Sequence, residues 1–319
     1  MVPLKSVSVA VLIPCLNEEK SIYRVVSDFR SALPGALVYV YDNNSSDRTS
    51  EQAADAGAIV RYVPLQGKGH VVHRMFSDIE ADVYLMVDGD GTYDIASAPR
   101  MVELLIVKHL DMVNGARQPV EDGTYRPGHR LGNLFLTGLV SAIFGRRFND
   151  MLSGYKAFSR RFVKSFPALT DSFEIETELT IHALELDMPV AEVTTPYSKR
   201  AKGSDSKLNT YRDGLRILRA IIWFVQKERP LHFFLMMAFF FFLTAMAAGV
   251  PVITEFWETG LVQRFPTAIL ASGLMILSFL SLVCGLILDT VTLGRKEMKR
   301  MFYLNSGSPN ALKKDFVSK

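Results

Sequence analysis

The chain has 319 residues, 49% of them hydrophobic and 22% charged, which excludes a disordered polymer and leaves room for two compact units at most. Two cysteines, Cys15 and Cys284, are too few for a disulfide scaffold or a four-cysteine zinc site. A net charge of +3 gives no reason to expect a nucleic-acid partner.

Met1 to Ser6 lead into the chain without the pattern of a signal peptide. Val7 to Ile13 is a β-branched run that predicts a strand, and Glu18 to Ala32 carries Ile22, Val25, Val26 and Phe29 at helical spacing. Leu37 to Tyr41 predicts a second strand, and Ser46 or Asp47 is placed to cap a helix through Ala54. Ala58 to Val63, Val71 to Ile79 and Val83 to Val87 continue the alternation of strand, helix and strand. This order predicts an α/β fold, a mostly parallel sheet with helices on both faces.

Two stretches farther on have basic edges and apolar faces, at about residues 128–145 and 209–230. Such helices can lie in a membrane interface or pack on a sheet. Between Lys199 and Arg229 there are nine Lys/Arg against three Asp/Glu, which suits an anionic lipid surface. Phe233 to Ile253 and Pro266 to Leu288 are uncharged and long enough to cross a bilayer at ~1.5 Å rise per residue. Basic residues flank the pair on the side of both chain ends, whereas the connection carries only Glu255, Glu258 and Arg264 as charges. The bias predicts cytoplasmic termini and a short outside loop at about residues 254–265. The expected organisation is a catalytic domain over 1–208, a juxtamembrane helix over 209–230, two transmembrane helices within 231–289 and a basic tail over 290–319.

Polar loops gather at the carboxyl ends of the predicted strands, where open α/β sheets bind ligands. They are Pro14-Cys15-Leu16-Asn17-Glu18, Asp42 to Asp47, Gly67-Lys68-Gly69 and Asp88-Gly89-Asp90-Gly91-Thr92. Asp88 and Asp90, one residue apart at a strand end, suit a hard cation such as Mg²⁺ or Mn²⁺, although a bare Asp-x-Asp also serves as a solvated acidic turn. Lys68 offers positive charge nearby.

This series of loops resembles the family 2 glycosyltransferases of GT-A fold. Within that family it is similar to the polyprenyl-phosphate glycosyltransferases, the group of dolichyl-phosphate mannose synthase and bacterial undecaprenyl-phosphate glucosyltransferases. Asp150 to Lys156, Tyr197 to Arg200 and Gly203 to Leu208 extend the similarity, which covers about residues 7–230. The resemblance implies that Pro14, Asn17, Glu18 and Asp42 line the nucleotide base and ribose, with Lys68 also on the nucleotide. It implies that Asp88 sits near the ribose and metal, and that Asp90 binds the metal holding the diphosphate. Where several relatives have a metal-binding glutamine, this chain has Thr92. Arg117 matches an arginine near the reacting phosphates. A Gln-x-x-Arg-Trp motif of processive synthases is replaced by Gln226 to Pro230, with proline in place of tryptophan.

A lipid phosphate approaching a diphosphate meets like-charge repulsion, so fixed cations are expected between the two. Arg117, Arg130, Arg200, Ser206 and Lys207 are the candidates, with Asp90, Arg117 and Arg200 as the catalytic set. Glu174 and Glu176, at a predicted helix start, can touch sugar hydroxyls or simply favour the helix dipole. The expected activity is inverting transfer of one sugar from a nucleotide-sugar, a UDP-sugar by expectation, to polyprenyl (undecaprenyl) phosphate for cell-envelope glycan modification. The expected setting is a multi-pass protein of a bacterial-type inner membrane, its catalytic domain cytoplasmic, forming a homo-oligomer. Extension of a lipid-linked saccharide or polymer, and non-catalytic binding of nucleotide-sugars, are the alternatives.

Overall fold

A computed structural model describes residues 7–120, 137–138, 148–167, 175–199, 218–219, 226 and 229–306. The expected interfacial helix at about 128–145 and nearly all of the one at 209–230 lie outside them. The chain divides into two compact units, Met1–Ala220 with Lys299–Lys319, and Ile221–Met298.

The first unit is built on seven strands: β1 (Val9–Cys15), β2 (Leu37–Asp42), β3 (Ile59–Tyr62), β4 (Val83–Met86), β5 (Met112–Pro119), β6 (Lys156–Ser159) and β7 (Val190–Tyr197). Their spatial order is β3-β2-β1-β4-β6-β5-β7, parallel throughout except that β6 runs antiparallel to both β4 and β5. The first strand starts and ends two residues later than its sequence signal. Pro14 and Cys15 remain in register with Tyr41 and Asp42, so the proline ends the apolar run without ending the ladder.

Among the described residues, helices α1 (Ile22–Ala32), α2 (Thr49–Asp55), α3 (Lys68–Asp78), α4 (Ala98–Val107), α5 (Arg160–Ser165) and α6 (Ile175–Glu185) accompany the sheet. The expected helix from Glu18 begins at Ile22, because Glu18 O first closes a turn by accepting from Ser21 N and Ile22 N. One face of the sheet packs Val9, Val11 and Ile13 against Ile22, Val25, Val26 and Phe29 of α1 and Met101, Val102 and Leu105 of α4. Phe76, Tyr84, Phe158, Phe162 and Phe166 form a separate aromatic cluster between α3, α5 and the sheet. Central strands are therefore covered on both faces, and they read as continuous apolar runs for that reason. This unit also includes the end of the last helix, where Lys299 pairs with Glu185 at 2.7 Å and Tyr303 donates to Asp111 Oδ2 at 2.7 Å.

The second unit is a helical pair, α7 (Pro230–Thr259) and, as far as Met298, α8 (Phe265–Asn305). Both are long and apolar enough to cross a membrane. Ala238, Ala245 and Val252 recur every seventh residue on the buried seam of α7. They meet small residues of α8: Ser278 Oγ donates to Ala238 O at 2.8 Å, and Gly285 lies against Phe234. Small side chains let two apolar helices approach closely. Within the expected outside loop of about 254–265, α8 begins at Phe265 and α7 runs on to Thr259. Gly260, at φ +72°, then caps it in the left-handed conformation that glycine adopts without strain.

Candidate functional site

The loops after β1 and β2 are stitched to each other. Asn17, at φ +52°, takes Ser46 N on its Oδ1 at 2.7 Å, and Asn17 N donates to Ser45 Oγ at 2.9 Å. Glu18 N donates to Thr49 Oγ1 at 2.8 Å, and the Glu18 residue is buried. Asp42 is buried at the end of β2, accepting from Ser45 N at 2.8 Å and from Ser50 Oγ. Asn43 joins these loops to the next one: its Nδ2 donates to Val63 O and Leu65 O, and its Oδ1 accepts from Gly67 N at 2.7 Å. That amide holds the turn that launches Lys68.

Lys68 opens α3, and its Nζ lies 2.5 Å from Asp88 Oδ1 and 2.5 Å from Glu176 Oε1. Burial works against the ammonium, but the two carboxylates outweigh it and hold Lys68 above the usual lysine range, so it stays charged. Glu176, expected near the sugar, thus meets Lys68 from the first turn of α6. Asp90 is 3% exposed and takes both Thr92 N (3.1 Å) and Thr92 Oγ1 (2.6 Å) on Oδ1. Two glycines are fixed by close approach. A Cβ on Gly89 would lie 2.5 Å from Cys15 Sγ, and one on Gly154 would lie 2.3 Å from Asp88 Oδ2. The residue between the two aspartates therefore cannot carry a side chain without a shift, and neither can the one behind Asp88.

Arg117 leaves β5 beside this centre. Its Nε and Nη2 fork onto Asp150 at 2.7 and 2.8 Å, and its ring-facing side stacks over Tyr197 at 5.6 Å. Bidentate pairing fixes the guanidinium plane as well as its charge. The main chain around Asp150 is held in turn by Glu192, which accepts from Asn149 N and Asp150 N, and by Asn114, which donates to Asp150 O at 2.8 Å. Lys156 is fully buried and donates to Asn114 Oδ1 at 2.5 Å; burial lowers it to about 8, against the pull of Asp150, Glu176 and Glu192. Tyr93 accepts from Gly154 N at 2.8 Å, and Ser198 N donates to Thr92 O at 2.8 Å, so the loop after Asp90 is sewn to the end of β7. Asp150 and Lys156 stood in a quoted motif without an assigned role, and Asn114 and Glu192 carried no signal.

The structure thus brings Asn17, Glu18 and Asp42 together at one end of the sheet, with Pro14 at the end of β1. Lys68, Asp88 and Glu176 form a second group, and Arg117 sits with Asp150. Arg130, Glu174, Arg200, Ser206 and Lys207 lie outside the described residues.

Asp88 and Asp90 offer two carboxylates, and among the described residues no group of three His, Cys, Asp or Glu gathers to hold a metal. Mg²⁺ is commonly held by one or two carboxylates together with substrate phosphates and water. The donor set fits that mode and does not fit an all-protein cage.

Residues 10–166 match the family described as glycosyl transferase family 2. Over 296 residues the chain is 31% identical to the glycosyltransferase AglJ of Haloferax volcanii, covering 92% of this chain and 97% of that one. A dolichyl-phosphate hexose transferase of the same organism is 29% identical over 220 residues, 69% of this chain and 95% of its own. Among solved structures, glucosyl-3-phosphoglycerate synthase from Mycobacterium tuberculosis, in complex with Mn²⁺, uridine diphosphate and glucosyl-3-phosphoglycerate, superposes with a TM-score of 0.57 at 23% identity. That match covers 69% of this chain and 80% of the synthase, and it bears on fold alone. With its mostly parallel sheet and acidic strand-end loops, the chain belongs to glycosyltransferase family 2 and is a glycosyltransferase of GT-A fold.

Proposed function

We propose that the protein transfers one hexose from a nucleotide-sugar, a UDP-sugar, to the phosphate of a polyprenyl lipid. One observation carries the reading: an acidic pair at the end of β4 occurs in a chain that also has two helices of membrane-crossing length. The similarity to a dolichyl-phosphate hexose transferase supports the lipid acceptor.

In this reading Pro14, Asn17, Glu18 and Asp42 hold the base and ribose, and Asp88 and Asp90 hold Mg²⁺ or Mn²⁺. The bound metal supplies charge neutralisation at the diphosphate leaving group. A lipid phosphate is largely dianionic at neutral pH, given a second pKa near ~6, so it needs no strong base to become nucleophilic. Its oxygen forms the new bond to the anomeric carbon as the bond to the nucleotide diphosphate breaks, with inversion. Positioning is then the main task of the protein. Arg117, oriented by Asp150, meets the reacting phosphates, and Arg130, Arg200, Ser206 and Lys207 guide the acceptor.

The apolar pair crosses the membrane twice, the segment at 209–230 lies on the cytoplasmic interface, and residues 1–208 face the cytoplasm of a bacterial-type cell. A screen of labelled nucleotide-sugars with undecaprenyl phosphate in detergent tests this. The expected product is a lipid phosphate carrying one sugar that mild acid releases. Polymer, or transfer only to a lipid-linked saccharide, overturns the proposed acceptor.

A further inference from the structure

Lys68 is an odd choice for the first residue of a helix. The N-terminal end of a helix carries partial positive charge and favours anions, so an ammonium placed there works against the dipole. It is also nearly buried, its side chain 10% exposed. Both disadvantages are met by the carboxylates of Asp88 and Glu176, which come from sequence positions far apart. An arrangement that needs two remote acids to be tolerable has a use other than capping.

One of those acids belongs to the proposed metal pair. Accepting the metal reading above, we propose that Lys68 is a resident counter-cation of Asp88 that gives way when a divalent cation arrives, and that Glu176 is the berth that receives it. The ammonium now rests on Asp88 Oδ1, and two cations on one carboxylate repel each other. Asp88 cannot retreat towards Gly154, where even a Cβ would stand 2.3 Å from Oδ2 and 2.9 Å from Oδ1. The lysine, on four rotatable carbons, is the partner that can move. Glu176 already holds it at 2.5 Å, so the charge stays paired throughout the exchange. Glu176 is thus a positioning residue for Lys68, whereas sequence reading placed it near the sugar.

The idea makes opposite predictions for the two partners. Mn²⁺ binding is measured on the full-length protein in detergent by the paramagnetic resonance of free Mn²⁺, without donor and then with UDP. Lys68→Gln removes the competing charge and is expected to tighten Mn²⁺ about tenfold without nucleotide, while Lys68→Arg restores wild-type affinity. Glu176→Gln leaves the ammonium on Asp88 alone and is expected to weaken Mn²⁺ several-fold. In the double variant Lys68→Gln/Glu176→Gln that weakening disappears, because nothing remains for Glu176 to hold. Equal weakening in both backgrounds means that Glu176 acts through its own charge, and it overturns the proposal. So does Mn²⁺ affinity unchanged by Lys68→Gln. If Lys68→Gln fails to fold, Glu176→Gln decides alone, and unchanged or tighter Mn²⁺ binding there defeats the idea. Absence of saturable Mn²⁺ binding by the wild type with UDP present is a different failure, since it removes the metal reading itself.

Discussion

Helices α6 and α7 bury opposite things. All eleven residues of α6 are buried, among them Glu176, Glu178, His182 and Glu185. Of the 30 residues of α7 only Pro230, Ala238, Ala245 and Val252 are buried, while Phe239, Phe240 and Phe242 are exposed. A helix in a water-soluble core should show an apolar stripe and a polar face. The first has too much charge inside, and the second too much hydrocarbon outside. The two therefore differ in the surrounding that their surfaces suit. Around α6 the charges have partners, since Glu176 meets Lys68 and Glu185 meets Lys299. Around α7 the apolar surface fits lipid, where backbone groups are satisfied within the helix and side chains need no polar partner.

The strongest way to break the contrast is to remove a buried charge that has a chemical task. Asp90→Asn keeps the shape of the side chain, and we expect transfer to fall by about 10³-fold with folding unchanged. Chelation with EDTA should abolish transfer in the wild type. Full activity in chelator would leave the buried acids as structural groups only.

The next largest effect belongs to the apolar pair. Leu277→Lys places a charge at the middle of the uncharged stretch Pro266 to Leu288, on an exposed position, and it should disfavour membrane insertion by about 3 kcal/mol. Carbonate extraction would show the shift from integral to extractable protein. No shift would mean that the exposed apolar face is not in lipid.

A smaller effect sharpens the other side. Burial, with help from Lys299, lowers His182 to about 3, so it is neutral in the fold. The unfolded chain takes up its proton near pH 6.5 and the folded one does not, so stability falls as pH drops from 6.5 towards 3. Wild type should therefore lose up to about 1.4 kcal/mol per pH unit more than His182→Gln in that window, measured by denaturant unfolding. The smallest effect is the control: Tyr23→Lys, on the exposed side of α1, should change stability by less than about 0.5 kcal/mol.

Much of the first half of the sheet was legible. Strands β1 to β4 are apolar runs closed by turn chemistry, and the helices between them keep a regular apolar spacing. Strands β5 and β6 are not legible in the same way. Asn114, Gly115 and Arg117 give β5 a loop-like composition, and four-residue β6 begins with a fully buried lysine. Those residues are polar because they hold the Arg117–Asp150 arrangement, so function has displaced propensity there. Helix α6, whose start was expected at Glu174 and Glu176, shows no amphipathic period because no face of it is wet. The Asp-x-Asp centre, Lys68 beside it and Glu176 were each visible as candidates, but the contact between the lysine and that acid was not. The pairing of Lys68 with Glu176 spans 108 positions, and no local pattern encodes such a distance.

The antiparallel strand β6 has a consequence for how the protein is made. Among the described strands it is the one that pairs with both parallel blocks, β3-β2-β1-β4 and β5-β7, and it emerges from the ribosome after β4 and β5 are already complete. Until Lys156 to Ser159 arrive, β4 presents an open apolar edge, and such edges pair with other chains. Vectorial synthesis should therefore pass through an aggregation-prone stage that begins near residue 87 and ends near residue 160. Nascent chains stalled within that interval should bind chaperones, and chains stalled beyond it should be released from them.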